Sequence, residues 1–392
     1  MRSAPMPMFD TDPAPLAGLL VVDLSQFLAG PYASLRLMDL GARVIKVERP
    51  GAGDLTRSLY LTDTEIGGDS TLFHAINRGK ESLALDLKDA DDRDALIRLI
   101  ARADVVIQNF RPGVIERLGL DWDRVRRINP RIVYGSISGY GEDGPWADRP
   151  GQDLLAQARS GLMWLSGDAG DAPVPMGLAV ADMFAGATLV QGILAGLVRR
   201  GVTGRGGLIQ TSLLEALVDL QFEVLTTHLN DGGRRPARAA HGSAHAYLSA
   251  PYGVYRAADG WLALAMMPVP RLADLMGLPV QDRWREDPGS WFADRDQIRA
   301  LIADRIAERP VAEWMALFEP ADIWTAPVMG WPELLAHPGF ARLGLLQDLH
   351  GGARDVTTTA APLRVDGIRP RCRAASPRVG QHSAAIRAEF GL

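Results

Sequence analysis

Two aspartates stand in settings that suit covalent chemistry. Asp182 lies in Ala179-Val-Ala-Asp182-Met-Phe-Ala-Gly186, and Asp153 in Pro150-Gly-Gln-Asp153-Leu-Leu. Each precedes a segment whose pattern predicts a helix. By pattern alone the commoner role there is an N-cap, whose side-chain oxygen accepts from the free N–H groups of the first turn. A poorly solvated carboxylate is also a better nucleophile than a hydrated one, and nearby N–H groups could hold an oxyanion. Both roles stay open. Four cations, Arg49, Lys88, Arg111 and Arg117, fall near the C-terminal ends of predicted strands or in the loops that follow. In a doubly wound sheet that edge holds the ligand, and four cations there suit a phosphorylated one; singly, each is ordinary surface charge. Gly139-Tyr-Gly141-Glu-Asp-Gly144 fits G-x-G-x-x-G, but Pro145, Trp146 and Pro150 follow where a helix should begin, so the stretch reads as a tight turn. The sequence has no G-x-x-x-x-G-K-[ST], H-E-x-x-H or G-x-S-x-G pattern. The lone cysteine, Cys372, excludes a disulfide within the chain and a Cys-based zinc site, and no metal is expected.

The elements that would position these residues begin with Gly18–Ser25, a short apolar run. Tyr32–Leu40 reads as a helix with Pro31 at its start, and Arg43–Val47 as a second strand. Strand-like Leu83–Leu87, helical Asp91–Arg102, strand-like Asp104–Ile107, partly helical Ile115–Arg127 and strand-like Arg131–Ser138 continue the alternation, which predicts a Rossmann-like α/β domain. Two helices follow, over Gly151–Gly161 and Asp182–Arg200, then a glycine-rich turn at Thr203–Gly207 and a long helix over Ile209–Leu229. Tyr252–Arg256 and Trp261–Met266 flank Asp259-Gly260 as a hairpin.

With 392 residues, the chain exceeds what one core usually supports, so two domains are expected. The expected division is a large domain opening with residues 1–205, a linker helix and loop at 206–240, a small α+β domain at 241–325, and a return segment, 326–392, completing the large domain. The apolar fraction of 47% excludes disorder, and a net charge of −5 argues against general nucleic-acid binding. No run is expected to span a bilayer; Met183–Val198, broken by glycines and Gln191, reads as a buried helix. Residues 1–15 are proline-rich with no apolar core of the signal-peptide kind, so a cytoplasmic location is expected.

Taken in order and spacing, several short stretches resemble one family, the class III CoA-transferases (CaiB/BaiF). They are Pro15-Leu-Ala-Gly-Leu-Leu-Val-Val-Asp-Leu-Ser, Ala29-Gly-Pro, Asp39-Leu-Gly-Ala-Arg-Val-Ile-Lys-Val-Glu48, Asn77-Arg-Gly-Lys80, Asn109-Phe-Arg-Pro-Gly113, Arg117-Leu-Gly, Ser138-Gly-Tyr-Gly and Thr203-Gly-Arg-Gly206. The resemblance runs from Pro15 to His382. It implies an α/β fold, with a Rossmann-like large domain built from both chain ends and a smaller α+β domain, in an interlinked homodimer. It also implies a reaction without a permanently bound cofactor, in which coenzyme A and acyl-CoA are substrates. Asp182 falls on the family's nucleophilic aspartate and Asp153 on a supporting acidic position. The implied coenzyme pocket comprises Gln26, Phe27, Leu28 and Ala29 along the pantetheine and thiol. Arg49 and Lys88 meet the nucleotide phosphates, Leu85, Asn109 and Phe110 line the path, and Arg117 is a further matched cation.

Two departures from the family pattern bear on function. The family's racemases pair a histidine with the aspartate, and that histidine position here is Gln152, which cannot serve as a base. The formyl-CoA transferases carry a run of glycines that His241–Pro251 lacks, which argues against formyl-CoA/oxalate specificity; His241 and His245 in that stretch are candidate substrate contacts. Acyl-CoA:carboxylate transfer is therefore the expected activity. An α-methylacyl-CoA racemase, a nicotinamide-dependent oxidoreductase using the Gly139 turn, and a non-catalytic CoA-binding protein are the alternatives.

Overall fold

The computed structural model describes residues 14–350, 355–372 and 374–392, so most of the proline-rich start lies outside the described residues. Contacts divide the chain into two units. The first comprises Met1–Ala156, Ala179–Leu220 and Pro338–Leu392, and the second Gln157–Leu178 and Gln221–His337. The second unit thus takes in segments on both sides of the 241–325 stretch expected from the sequence.

The first unit is built on six parallel strands: β1 (Leu20–Asp23), β2 (Arg43–Glu48), β3 (Glu81–Ala84), β4 (Val105–Gln108), β5 (Val133–Ser138) and β6 (Gly207–Ser212). Their order across the sheet is β3-β2-β1-β4-β5-β6, which is doubly wound, with the reversal between β1 and β4. Both faces are covered, so the strands are apolar almost throughout. Val22, Ile45, Leu83, Val106 and Tyr134 point to one face, where they pack with Leu96, Leu99, Val125 and Ile386. On the other face Leu189 and Ile193 of a long helix lie over Gly135 of β5.

The helices that matter for the site are α1 (Ala29–Asp39), α2 (Thr71–Asn77), α3 (Ala90–Ile100), α4 (Val114–Arg117), α5 (Trp122–Ile128), α6 (Asp153–Ser160), α7 (Val180–Thr203) and α8 (Leu213–Leu220). Helix α1 starts earlier than the sequence suggests, and Pro31 still sits in its first turn, where its missing N–H costs nothing. β3 is displaced toward the N-terminus of the expected 83–87 run. The long helix expected over 209–229 is not formed. Residues 207–212 pair along their whole length with β5 as the sixth strand, and helices resume only at Leu213 and Phe222. Leu208-Ile209 and Leu213–Leu217 together mimic one helical stripe; a strand distant in sequence decides the matter.

Helix α7 has 24 residues and is long and apolar enough to cross a membrane by length and composition, contrary to the expectation that no run qualifies. One face of it is built into the core of the first unit. Ala181, Ala185, Leu189, Ile193 and Gly196 form a buried stripe along it, and it packs against α1, α8 and the sheet.

The second unit has a three-stranded antiparallel sheet, Gly253–Arg256, Trp261–Leu264 and Thr325–Pro327, with Trp261–Leu264 central. The expected hairpin is its first pair. Its core gathers Leu262, Trp284, Ile302, Trp314 and Phe318, with Trp314 stacked on Phe318 at 5.2 Å.

Candidate active site

The start of α7 places both aspartates. Its N-cap position is Ala179, which has no side-chain acceptor to offer. The cap comes from elsewhere: Asp153 Oδ2 accepts from the Ala181 N–H at 2.7 Å and from the Asp182 N–H at 3.2 Å. Asp182 is the third residue of the helix and is not its cap. The capping role that both sequence positions suggested belongs to Asp153, at the start of α6, acting on α7.

With its helix capped by another residue, the Asp182 carboxylate is left over. It is half-buried, and no donor pairs with it among the described residues. Burial pushes its pKa up to about 7, and the Asp153 charge beside it adds to the rise. One turn further on, Gly186 packs against α1 so closely that a Cβ there would lie 2.6 Å from the Ala29 carbonyl oxygen. Asp182 and Gly186 share a helix face, so Asp182 stands about 6 Å along the axis from that contact. The nucleophile candidate and the Gln26–Ala29 loop are thereby brought together.

That loop follows β1 at the switch point. Asn109, just after β4, clips it with two bonds: the Gln26 N–H donates to Asn109 Oδ1 at 2.8 Å, and Asn109 Nδ2 donates to the Gln26 carbonyl at 2.7 Å. Phe27 at its tip is held at φ 61°, in the left-handed region a bulky residue seldom enters, and its side chain is exposed.

Beneath the loop lies a buried ionic cluster that sequence reading did not pick out. Lys80 Nζ donates to Asp23 Oδ2 at 3.1 Å, to the Pro31 carbonyl at 2.9 Å and to Asn77 Oδ1 at 2.8 Å. Lys46 Nζ donates to the Ser25 carbonyl at 2.9 Å and pairs with Asp54 at 2.6 Å. Asp23 also accepts from Ser34 of α1 and from Ser25. Burial alone would raise Asp23, but Lys80 and Lys46 outweigh it and hold the carboxyl at about 2. Burial lowers Lys80 to about 8, against the pull of Asp23. Two lysines thus hold the carbonyls of Ser25 and Pro31, on either side of the 26–29 loop. The available signal was Lys46 in Arg-Val-Ile-Lys-Val-Glu, a charge inside a strand apolar on both faces.

The other expected coenzyme residues follow the C-terminal ends of the strands, as a ligand edge requires. Arg49 follows β2, Leu85 and Lys88 follow β3, and Asn109 and Phe110 follow β4. Arg49 and Lys88 are exposed, and Phe110 is half-buried. The Phe110 N–H is fixed by Gln108 Oε1 at 2.8 Å. Leu85 differs: its side chain is 1% exposed within the core, which leaves only its backbone for a ligand. Arg117 ends α4 on the surface, its guanidinium close to Gly113. The Gly139 motif is a turn. Gly139 and Gly151 cross so closely that a Cβ on Gly139 would meet the Gly151 Cα at 2.7 Å, and the next helix starts only at Asp153. In the second unit, His241 is almost fully exposed and His245 lies 3.7 Å from Glu223. No cluster of three or more metal-ligating side chains occurs among the described residues.

A family model, CoA-transferase family III, matches residues 16–383, nearly the whole of this fold. The chain belongs to CoA-transferase family III. It is 34% identical to the acetyl-CoA:oxalate CoA-transferase of Acetobacter aceti, over 98% of each chain. It is 33% identical to the succinyl-CoA:glutarate CoA-transferase of Mus musculus, over 95% of this chain and 85% of that one. The crystal structure of a CaiB/BaiF family protein from Brucella suis superposes with a TM-score of 0.83 at 32% identity, covering 96% of this chain and 99% of that one. The resemblance read from the sequence is thus confirmed: the protein is an enzyme, a CoA-transferase, of a family whose substrates are CoA thioesters.

Proposed function

We propose that this family III CoA-transferase moves coenzyme A from an acyl-CoA to a small carboxylic acid through covalent intermediates on Asp182. The observation that carries this reading is the Asp182 carboxylate itself: half-buried, without a donor, with a pKa near 7, and one helical turn from the Ala29 contact.

The ionised carboxylate attacks the thioester carbonyl. The C–S bond breaks, coenzyme A leaves as thiolate, and a mixed anhydride remains on Asp182. The thiolate then attacks the aspartyl carbonyl, the anhydride C–O bond breaks, and the donor acid departs from an aspartyl–CoA thioester. An acceptor carboxylate runs the two displacements in reverse. The thioester is conserved throughout, and each displacement replaces a harder direct exchange. Asp153 holds the N–H groups of Ala181 and Asp182 and keeps the helix start rigid, while the 26–29 loop, Asn109 and Phe110 line the thioester arm. Arg49, Lys88 and Arg117 face the phosphates.

The relatives' names point to dicarboxylates as acceptors, oxalate in one and glutarate in the other, and a small dicarboxylate is the acceptor class proposed here. The working form is proposed to be an interlinked homodimer in the cytoplasm. The helix Phe222–Asn230, which buries no residue and exposes Phe222 and Leu229, supports a partner surface. Racemisation has no support at Gln152, an exposed residue whose carbonyl is engaged by the Ala156 N–H at 2.9 Å.

Intact-protein mass spectrometry after mixing with a panel of acyl-CoAs, with hydroxylamine or borohydride trapping, tests the reading. A CoA-sized or trapped adduct is expected on the wild type and none on Asp182→Ala. Coenzyme binding without any adduct across the panel, or deuterium exchange at the substrate α-carbon, would reject it.

A further inference from the structure

Far along the chain from the aspartates, within the return segment of the first unit, three arginines surround one small open cavity. It measures about 230 Å³ and is lined by Leu343, Gly344, Arg364, Ile368, Arg369 and Arg371. No carboxylate among the described residues forms an ion pair with any of the three.

Main-chain carbonyls hold the guanidinium groups instead. Arg364 donates to the Leu343 carbonyl at 3.1 Å and to that of Gly367 at 3.3 Å. Arg369 donates to the Leu343 carbonyl at 3.2 and 3.0 Å and to that of Ala361. Arg371 donates to the carbonyls of Leu346 at 2.8 Å and Gly344 at 2.9 Å. Each guanidinium has five N–H donors in a rigid fork, so every one of them keeps uncommitted donors after these bonds.

Some of this arrangement is ordinary. The helix Pro338–Leu343 ends here, and arginines often serve the last carbonyls of a helix. A helix end, however, carries only about half an elementary negative charge. Three full positive charges exceed it, and they repel one another. At Arg369, burial, and then the Arg364 and Arg371 charges, pull the guanidinium below the usual arginine range. Neutral carbonyls orient the forks without cancelling their charge. The cavity is left cationic and preorganised, against an apolar wall of Leu343 and Ile368.

We propose that this cavity binds a doubly charged oxyanion, a phosphate or a small dicarboxylate, gripped by Arg364, Arg369 and Arg371. Guanidinium forks match the paired oxygens of both groups, and ionised partners give the shorter, stronger bonds. The cavity volume suits such a group.

The test is isothermal titration of the full chain with inorganic phosphate and, separately, with succinate, at constant ionic strength set by chloride. Wild type is compared with the double variant Arg364→Gln/Arg371→Gln and with Arg371→Lys. Saturable binding of at least one oxyanion is expected, weakened about tenfold or more in the double variant and less in the lysine variant. Binding of phosphate alone assigns a phosphoryl site, of succinate alone a dicarboxylate site, and of both a site that reads charge. Because the proposed transfer site also takes both anions, only the binding that the double variant loses is assigned to this cavity. The same loss is expected when the double variant is made in an Asp182→Ala background, which separates this pocket from any failure of the proposed transfer chemistry. Melting in chloride alone guards against misfolding. The double variant gives up four bonds to main-chain carbonyls, so it should melt somewhat below the wild type but still in one cooperative transition. Absent binding of both anions to the wild type, or equal binding in a folded double variant, overturns the proposal.

Discussion

A carboxylate that is to attack a thioester has to be ionised and yet poorly hydrated, and the surroundings of Asp182 set those demands against each other. Burial and the Asp153 charge raise its pKa from 3.8 to about 7, so near neutrality only part of the enzyme carries the nucleophile. The rate of enzyme acylation should therefore rise as pH increases through about 7 and level off above it. Stability has the opposite slope. In the folded chain Asp182 keeps a proton that the unfolded chain gives up above about pH 4, so this group's contribution falls as pH rises from about 4 to about 7 and stays low beyond. Asp182→Asn removes the charge while nearly keeping the shape. It should stabilise the protein at pH 8 by at most about 4 kcal/mol, and the gain should shrink toward pH 5. Urea denaturation of both proteins at the two pH values checks this; an equal difference at both would show that ionisation of Asp182 is not the cause.

At the scale of elements, α7 cannot satisfy its own N-terminus, because Ala179 has no acceptor. Asp153 does so from α6, and it is also a charge that helps hold Asp182 up. Two variants separate these roles. Asp153→Asn keeps an oxygen for the Ala181 N–H and removes the charge. Asp153→Ala removes both and should cost about 0.5–2 kcal/mol of stability. Both should move the acylation pH profile to lower pH; only the alanine variant should also lose stability. Paired pH–rate profiles and melting curves read the two effects, and an unmoved profile in Asp153→Asn would deny the charge coupling. The sequence reached part of this arrangement. Each aspartate could be placed before a helix, because helix starts have local signatures. That Asp153 serves the other helix is a contact between segments far apart in sequence, which local patterns do not encode. The same limit hid β6, whose strand conformation is imposed by β5, and the Asp23, Lys46 and Lys80 cluster, whose members come from three separate stretches. The ligand edge of the sheet was legible, because strand ends and the cations after them recur in order along the chain. Leu85 was less so: its place at that edge could be read, but not that its side chain turns into the core.

For the whole molecule, the sheet's outer strand poses a problem that the chain's last residues solve. An uncovered edge strand offers free N–H and C=O groups to any other chain. β3 is such an edge, paired only with β2. The C-terminal segment covers it: the His382 N–H donates to the Ser82 carbonyl at 3.0 Å, the Ser82 N–H to His382 Nδ1 at 3.1 Å, and the Ala84 N–H to Ser383 Oγ at 3.0 Å. The helix that follows, Ser383–Phe390, inserts Ile386 into the main core and ties Arg387 to Asp92 and Glu389 to Arg43. The first and last parts of the chain thus complete one unit, and neither part closes the sheet without the other. A chain ending after Val379 should lose the core contact of Ile386, worth about 2–5 kcal/mol by analogy with truncation to alanine, and should also expose the β3 edge. Ile386→Ala should lose the first and keep the second. The truncated protein should therefore both melt lower and aggregate on a sizing column, whereas Ile386→Ala should melt lower and elute as the wild type does. If both variants behave alike on the column, the segment acts through its core contact alone and edge protection is not its role.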